Sequence, residues 1–257
     1  MFTSTLDPVL FSIGPLSIRW YSLAYILGFL GLLWLLLNYS KNKKIELNKE
    51  EVYDFVFWMM IGVVLGGRLG EVLFWNPSYY FSNPLEILKV WHGGMSFHGG
   101  LIGGVIACYF FCRKKKISFW KMADIVVIPA MFFWALGRLA NFVNGELYGP
   151  VTSVSWCVNF PNVEGCRHPY QIYAFLEQMV IGFFLVFLYS KEKVRKKEGL
   201  LFWTFIMLAG LGRFVVDFWR VDEAMIWLLS VGQWLSLVMF VIGLVFVVRL
   251  LRRKKEK

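Results

Sequence analysis

Charged and amide side chains lie inside segments of the sequence that are otherwise apolar. One such block is GRLANFVNGELYG, residues 137–149, whose polar members are Arg138, Asn141, Asn144 and Glu146. The spacing of Arg138, Asn141 and Gly145 predicts that they share one face of a helix. A guanidinium, two amides and a carboxylate among glycines indicate the wall of a polar cavity rather than a lipid-facing surface.

A second polar group follows helical spacing further along the chain. Arg213, Asp217 and Arg220 are separated by offsets of 4 and 7, so all three are predicted on one helical face. Asp217 pairs well with only one arginine, which leaves a net positive face in or near a bilayer. Such a face attracts an anion, and guanidinium groups bind phosphate with two parallel hydrogen bonds. The structural alternative is pairing of these arginines with Glu71 or Glu146.

The third block is HGGMSFHGGLIGG, residues 92–104. His98 lies among glycines, which allow a backbone and a ligand to approach closely. An imidazole titrates near neutral pH and can both take up and return a proton. The block therefore indicates either a candidate general base or a structural histidine.

Two further arginines have both a structural and a functional interpretation. Arg68 is followed by Glu71 at i+3, which predicts an intrahelical ion pair or a functional cation. Arg19 lies near the outer end of the first apolar run, where a long side chain reaches the membrane interface.

The elements that carry these residues are long apolar runs. Hydrophobic residues occupy 58% of the 257 positions, against about 45–50% in average soluble domains. A helix needs about 20 mainly apolar residues to cross the hydrocarbon core of a bilayer. Seven runs approach or meet this length: 17–39, 53–75, 97–112, 123–143, 171–190, 199–219 and 227–248. The sequence therefore predicts an all-α polytopic membrane protein with seven transmembrane helices, the third being short and rich in glycine.

The basic residues predict the orientation of these helices. Most of the 27 lysines and arginines fall in alternate loops and in the tail, at 41–49, 113–121, 191–197 and 249–257. The positive-inside rule places these segments in the cytoplasm, with the N-terminus outside and the C-terminus inside. An odd number of spans is then required. The net charge of +10 follows this topology, so no nucleic acid partner is expected.

The irregular segments divide unequally between the two sides. We expect residues 1–257 to form a single integral-membrane catalytic domain with outside loops at about 76–96 and 144–170 and a basic cytoplasmic tail at about 249–257. The outside loops are rich in Gly, Pro, Asn and aromatic residues, whereas the inside loops are short and basic. Loops carry function more often than their supporting elements, so the outer side is the expected working side.

The four cysteines form two pairs with different predicted roles. Cys108 and Cys112 are expected to be buried small apolar residues of the third span. Cys157 and Cys166 share an outside loop, where they form either a disulfide or two free thiols. Neither pair has the spacing of a zinc site, so no metal is predicted.

The polar blocks resemble the signature sequences of the prolipoprotein diacylglyceryl transferases. HGGMSFHGGLIG and GRLANFVNGELYG are similar to the two signature blocks of that family. Further blocks occur in the family's order: RWYSLAY at 19–25, GGRLGEVLFWN at 66–76, RHPYQIY at 167–173, GRFVVDFWR at 212–220 and GQWLS at 232–236. The resemblance runs from about residue 7 to residue 245.

The resemblance implies a seven-spanning enzyme of the bacterial cytoplasmic (inner) membrane with its active site toward the outer, periplasmic side. Such an enzyme transfers the diacylglyceryl group of phosphatidylglycerol to the lipobox cysteine thiol of a prolipoprotein, releasing glycerol 1-phosphate, without a cofactor. The implied partners are phosphatidylglycerol, lipobox-containing prolipoproteins and membrane lipid. The family's functional positions fall on Tyr21, His98, Arg138, Asn141, Asn144, Glu146, Gly149 and Arg213.

The roles expected of these residues follow from the reaction. His98, Arg138 and Arg213 are the catalytic candidates: the arginines stabilise charge on the leaving phosphate, and His98 acts as base for the thiol or as a headgroup ligand. Phosphatidylglycerol binding is assigned to Arg138, Arg213, Tyr21, Asn141, Asn144, Glu146 and Gly149. Glu146 is expected to orient an arginine.

Four positions depart from the family's pattern. Asp217 stands where Glu is familiar, and Tyr170 replaces a small hydroxyl residue. Ala209 stands where a tyrosine is often found, and Ala174 where an acid is common. None of these four positions is itself one of the arginines or His98.

Three other classes of membrane protein fit the sequence less well. A transporter for an anionic solute would also contain buried arginines, but the chain shows no internal repeat. Ser96 lies close to His98, as in a protease, but lacks a surrounding G-x-S-x-G turn. A metal-dependent lipid-phosphate transferase would need clustered aspartates, which here are scattered.

Overall fold

The computed structural model describes residues 2–3, 7, 9–13, 16–161, 163–221 and 225–253. The described helices are α1 (Trp20–Lys41), α2 (Lys49–Gly70), α3 (Pro77–Ser82), α4 (Phe97–Lys115), α5 (Phe119–Asn144), α6 (Tyr170–Ser190), α7 (Glu192–Arg195), α8 (Leu200–Val216) and α9 (Val231–Arg252). The described strands are β1 (Phe2–Thr3), β2 (Val9–Ile13), β3 (Leu16–Arg19), β4 (Val158–Asn159), β5 (Met225–Ile226) and β6 (Leu229–Ser230). β1 pairs with β4 in parallel, whereas β2–β3 and β5–β6 are antiparallel.

Six of the described helices are long and apolar enough to cross a membrane, which confirms the predicted all-helical membrane class. They are α1, α2 with its π-helical extension to Trp75, α5, α6, α8 with its extension to Trp219, and α9. The third predicted run forms α4, a helix of 19 residues that is not among the six and has Arg113, Lys114 and Lys115 in its last turn. The seventh span and the orientation of the termini stay predictions.

The chain divides into two compact units. One contains Met1–Gly28 and Asp124–Lys257, and the other contains Phe29–Ala123. Each unit has its own close helix packing.

Glycines bring α2 and α4 into close contact in the unit of Phe29–Ala123. A Cβ atom on Gly103 would lie 2.0 Å from the carbonyl oxygen of Gly62, and one on Gly66 would lie 2.3 Å from that of Gly99. Small residues spaced by four are typical of helices that pack backbone to backbone in membranes. Gly99 and Gly103 therefore pack two helices together, whereas the sequence suggested that glycines in this block make room for a ligand.

Helices α8 and α9 pack by the same device in the unit of Asp124–Lys257. A Cβ on Gly210 would lie 2.7 Å from the backbone nitrogen of Phe240, and one on Gly243 would lie 2.5 Å from that of Met207. The start of α8 is held by the buried side chain of Asp124, which accepts hydrogen bonds from the backbone N–H groups of Gly199 and Phe202, both at 2.7 Å. A carboxylate at a helix N-terminus satisfies donors that have no partner within the helix.

The segment at 76–96 is organised by side-chain pairs. Glu86 accepts hydrogen bonds from Lys89 at 2.6 Å and pairs with His92 at 2.8 Å. Hydrogen bonds from these two residues lower the pKa of the Glu86 carboxyl. Many aromatic side chains of the neighbouring turns are exposed, among them Phe74, Phe81 and Trp91, which suits a segment at a membrane interface.

Candidate active site

Three of the predicted site residues meet around the carboxylate of a fourth, Glu146. Tyr21, in the first turn of α1, donates its hydroxyl hydrogen to Oε2 at 3.1 Å, and Asn141 Nδ2 reaches the same oxygen at 3.1 Å. Asn144 Nδ2 donates to Oε1 at 3.1 Å, and Asn141 Nδ2 also donates to the Tyr21 hydroxyl. Gln171 fixes the backbone by donating to the Glu146 carbonyl at 2.6 Å. Glu146 thus holds phenol and amide donors, rather than the arginine that the sequence suggested.

The end of α5 explains why Glu146 returns to Asn141. Gly145 adopts a left-handed conformation with φ of 68° just past the last helical residue. Its N–H donates to Phe142 O at 3.2 Å, and the Glu146 N–H donates to Asn141 O at 3.0 Å. This is the Schellman pattern that a glycine after a helix favours. Gly145 is therefore the turn that folds Glu146 over the helix, and it does not extend the helical face with Arg138 and Asn141 as expected.

The amide of Asn144 is oriented by the carboxylate beside it. Glu146, when ionised, can only accept hydrogen bonds, so the nitrogen of the amide must face it. The Oδ1 atom of Asn144 is buried and has no hydrogen-bond partner within the described residues of its unit. The site therefore presents an acceptor suited to a hydroxyl group.

Arg138 lies one turn before Asn141 and is buried, with 8% of its surface exposed. Its guanidinium lies over the rings of Trp134 and Tyr170, with distances to the ring centroids of 5.9 and 6.0 Å. No hydrogen bond or ion pair of Arg138 is found within the described residues of its own unit, and its Nε is buried without a partner. A buried cation in this condition has a strong electrostatic demand for an anion.

Asp217 pairs with one arginine, as the sequence predicted, and that arginine is Arg213. Arg213 Nε lies 3.3 Å from Asp217 Oδ2, and the Asp217 side chain is fully buried. The prediction that Arg220 shares their helical face was wrong, because Asp217 begins a 3-10 turn at the end of α8 and Arg220 follows that turn in an extended conformation. The Arg220 guanidinium nevertheless lies 5.8 Å from the centroid of the Tyr170 ring, beside the group formed by Arg213 and Asp217. The positive charges of Arg213 and Arg220 both act on Arg138.

Two residues near the arginines, one buried and one partly buried, had no assigned role in the sequence analysis. Tyr170, only 1% exposed, donates its hydroxyl hydrogen to Asp217 Oδ1 at 2.5 Å. Glu177 of α6 lies within electrostatic range of Arg138 and packs against Gly212, where a Cβ would lie 1.8 Å from Glu177 Oε1. An acid in the middle of an apolar span was the available signal for Glu177. Tyr170 was noticed only as a departure, because its partner lies 47 residues away.

Gly149 provides close backbone contact rather than a side chain. Its N–H donates to the His168 carbonyl at 2.9 Å. A Cβ at this position would lie 2.5 Å from the Trp219 carbonyl oxygen and 2.7 Å from His168 Cβ. The glycine therefore allows the segment after α5 to approach the segments before α6 and after α8.

The loop at 144–170 contains the disulfide that the sequence left open. Cys157 and Cys166 are bonded, with their Cα atoms 5.5 Å apart. Backbone hydrogen bonds of 2.9 and 3.0 Å join Val158 and Arg167 beside the bond. Cys108 and Cys112 of α4 are buried free thiols, as predicted.

His98 belongs to the other unit, where it is the second residue of α4 and is exposed. Ser96 caps this helix by accepting a hydrogen bond from the Gly99 N–H at 3.2 Å, and its own N–H donates to the Gly67 carbonyl at 2.9 Å. Trp75 also donates to the Ser96 hydroxyl, at 3.3 Å. These bonds make Ser96 a capping residue, in agreement with the absence of a protease motif.

Arg68 is the second buried arginine whose surroundings the structure defines. It donates to the Tyr80 hydroxyl at 2.6 Å, to the Gly94 carbonyl at 3.0 Å and to the Lys89 carbonyl. Glu71, its expected intrahelical partner, instead accepts from Asn76 at 2.6 Å. The ion-pair interpretation was therefore wrong, because a side chain 3% exposed turns inward to the loop rather than along the helix. Arg19, the other ambiguous arginine, ends β3 and is exposed.

Comparison with known proteins gives matches over almost the whole chain. A family model for prolipoprotein diacylglyceryl transferase matches residues 8–249. A phosphatidylglycerol–prolipoprotein diacylglyceryl transferase of Geobacter sulfurreducens is 46% identical over 255 residues, which cover 97% of each chain. Proteins of the same name from Rickettsia rickettsii and Rickettsia conorii are 47% and 46% identical over 247 residues, covering 93% of this chain and 94% of each relative.

These matches define the class of protein and then the family. The chain is a multi-pass membrane protein with a polar site built on its helix ends. It belongs to the prolipoprotein diacylglyceryl transferase family.

Proposed function

We propose that this chain transfers the sn-1,2-diacylglyceryl group of phosphatidylglycerol to the thiol of the lipobox cysteine of a prolipoprotein, releasing glycerol 1-phosphate. This is the first step of bacterial lipoprotein maturation. The observation that carries the proposal is the buried guanidinium of Arg138, which makes no hydrogen bond or ion pair within the described residues of its unit, although Asp217 and Glu177 attract it at longer range. The family, the membrane helices and a buried arginine without a direct partner together favour an anionic lipid as substrate.

The bond-making step needs little beyond positioning and charge. The cysteine thiolate attacks the glycerol carbon that carries the phosphate ester, and a carbon–sulfur bond forms as the carbon–oxygen bond breaks. The phosphate oxygen keeps the electron pair, so the glycerol phosphate leaves with increased negative charge. Arg138 and Arg213 stabilise that charge more strongly in the transition state than in the ground state. His98 takes the thiol proton in its proposed role as base.

The group around Glu146 suits the glycerol end of the lipid head. Glu146 holds Tyr21, Asn141 and Asn144 in one arrangement, which leaves the Asn144 carbonyl oxygen available. This oxygen would accept a hydrogen bond from a hydroxyl of the phosphatidylglycerol headgroup. Gly149 serves this end of the site by allowing close approach of the surrounding backbone.

We further propose seven spans, with α4 as the third, in the bacterial cytoplasmic membrane. A helix of 19 residues is about 28 Å long, close to the thickness of the hydrocarbon core. The basic loops support an outside N-terminus, a cytoplasmic C-terminus and an active site toward the periplasmic side. The whole chain then acts as one catalytic domain. Cysteines introduced singly at 113–121 should react with a membrane-impermeant reagent only after permeabilisation.

A reconstituted transfer reaction tests the function directly. The purified protein is placed in phosphatidylglycerol vesicles with a synthetic lipobox peptide, and the peptide mass is followed. The expected product is a mass gain of one diacylglyceryl group on the cysteine. Vesicles of phosphatidylethanolamine and a peptide with serine in place of cysteine are the controls. Transfer that proceeds equally in either control, or no transfer at all, would refute the proposal.

A further inference from the structure

One tyrosine connects the arginines of the proposed phosphate site. Tyr170 begins α6 and is 1% exposed. Its ring lies under the guanidinium groups of Arg138, at 6.0 Å, and Arg220, at 5.8 Å. Its hydroxyl donates to Asp217 at 2.5 Å, and Asp217 in turn pairs with Arg213 at 3.3 Å. Each arginine is thus contacted by Tyr170 either directly or through a single carboxylate.

The two parts of this side chain act differently on the cations. An aromatic face attracts a guanidinium without using its N–H groups, so the donors of Arg138 stay available for an anion. The hydroxyl instead satisfies the buried carboxylate of Asp217, for which burial without donors is costly. Asp217 held in this way keeps Arg213 in one orientation. The ring therefore supports Arg138, and the hydroxyl fixes Arg213 through Asp217. These two arginines form the proposed phosphate clamp.

Gln171, the residue after Tyr170, supports the group of side chains around Glu146. Gln171 is fully buried and donates to the Glu146 carbonyl at 2.6 Å. The first two residues of α6 therefore support both halves of the proposed site, the arginines through Tyr170 and the carboxylate group through Gln171.

We propose that Tyr170 is the positioning residue of the phosphate clamp, acting with Asp217 as a matched pair across α6 and α8. This inference rests on the proposed function and adds a specific partner to it. The pair unites two departures noted in the sequence, a long hydroxyl side chain at 170 and a short acid at 217. The long donor Tyr170 and the short acceptor Asp217 span the gap between them. In the family's pattern, a small hydroxyl residue and a glutamate would span the same gap.

Single substitutions separate the ring from the hydroxyl. Tyr170→Phe should lower kcat for transfer by about tenfold or more, the effect of removing a hydrogen bond to a charged group, with KM for the peptide unchanged. Tyr170→Leu should lower kcat further because the ring is lost as well. Tyr173→Phe is the matched control and should behave as wild type. It removes a hydroxyl on the same helix as Tyr170, but this hydroxyl contacts Trp156 and His168 of the preceding loop.

An exchange of lengths tests the pairing itself. Tyr170→Ser and Asp217→Glu should each impair transfer, and the double variant should recover at least about tenfold over Tyr170→Ser, a coupling of the size seen for residues in direct contact. A purely structural role would give additive losses and no recovery. Additive losses, or a Tyr170→Phe variant as active as wild type, would overturn the inference.

A binding measurement separates this inference from the proposed function. The melting temperature of detergent-purified protein is measured with and without phosphatidylglycerol. Stabilisation of wild type but not of Tyr170→Phe, without transfer by either, would support the clamp and refute the reaction. Transfer by wild type with equal lipid stabilisation and equal kcat for Tyr170→Phe would refute the positioning role alone. Stabilisation of neither protein, together with transfer by neither, would refute both.

Discussion

Arg68 and Arg138 look alike in the sequence but have opposite surroundings in the structure. Each follows a glycine in an apolar helix, and each is almost fully buried, at 3% and 8% exposure. Arg68 donates to a tyrosine hydroxyl and two backbone carbonyls of its own unit. Arg138 lies between aromatic rings and has no such acceptor within the described residues of its unit. The first is therefore a structural residue, and the second is available to bind a ligand.

The difference shows how a buried cation is recognised as functional. Burial alone does not distinguish the two, and neither does the Nε atom, which is buried without a hydrogen-bond partner in both arginines within the described residues. What distinguishes them is whether the fold itself supplies the acceptors. Where it does not, the missing partner is expected to come from a bound anion.

The largest expected effect is that of alanine at the two positions. Arg138→Ala should abolish or nearly abolish transfer, a loss of about a hundredfold or more for removal of a transition-state donor, without lowering the melting temperature. Arg68→Ala should lower the melting temperature, because two backbone carbonyls and the Tyr80 hydroxyl lose their donor. Vesicle assays and thermal denaturation of both variants measure this. Arg138→Ala retaining more than half of wild-type turnover would contradict the clamp.

Arg213 sharpens the comparison because it is an arginine with one counter-ion. Arg213→Ala should also nearly abolish transfer, and in addition it should destabilise the protein by leaving buried Asp217 without its cation, about 3–5 kcal/mol for a broken buried pair. Lysine at position 213 or 138 should restore little activity, since an ammonium lacks the planar fork. Lysine variants with near wild-type rates would show that only charge matters.

Substitution of His98 tests whether the unit of Phe29–Ala123, which also contains Arg68, contributes to the chemistry. His98→Ala should lose activity by about 10²–10⁴-fold if the imidazole acts as base, and raising the pH should restore part of it. His98→Gln retains hydrogen bonding but cannot accept the proton. The pH–rate profiles of the two variants measure the difference, and a Gln variant with a near-normal rate would leave only a binding role.

The glycines before the clamp arginines provide a matched pair of smaller effects. Gly137→Ala should be neutral or slightly stabilising, because nothing lies within 4 Å of the added Cβ. Gly212→Ala should cost about 1–3 kcal/mol by overpacking against the Glu177 carboxylate, and Glu177→Ala should relieve part of it. Thermal denaturation checks both. Equal stability of the two glycine variants would contradict the close contact at Gly212.

The disulfide should affect transfer least. The Cys157→Ser/Cys166→Ser variant should keep substantial activity, because the attacking thiol belongs to the substrate. Its free energy of unfolding should fall by about 2–3 kcal/mol in the chain-entropy model, because the loop is no longer closed in the unfolded state. Thermal denaturation measures this loss. Non-reducing mass spectrometry of the peptide at 144–170 checks the bond in the wild type. Complete inactivation with normal membrane insertion would mean that one of these sulfurs takes part in the reaction.

Local chemistry was readable from the sequence where partners lie within a few residues. The apolar runs predicted the long helices of the described residues, and the spacing of Arg213, Asp217 and Arg220 predicted that Asp217 pairs with one arginine without deciding which. Gly145 after a polar helix end is a recognisable C-terminal signal, although its effect on Glu146 went unpredicted. An acid within about one turn suggested a local partner for both Arg68 and Arg213. The ion pair formed only at Arg213, so of the two alternatives left open for Arg68 the ion pair was wrong.

The sequence by itself determined the membrane class, the long helices and the inventory of polar groups, because burial of apolar residues in lipid depends on composition and period. Only the tertiary structure decided which polar groups meet. Tyr21 reaches Glu146 across 125 residues, and Tyr170 reaches Asp217 across 47. Contacts at such separation depend on how the helices pack. That packing decides whether a buried arginine finds acceptors in its own unit, as Arg68 does, or makes no hydrogen bond within the described residues of its unit, as for Arg138.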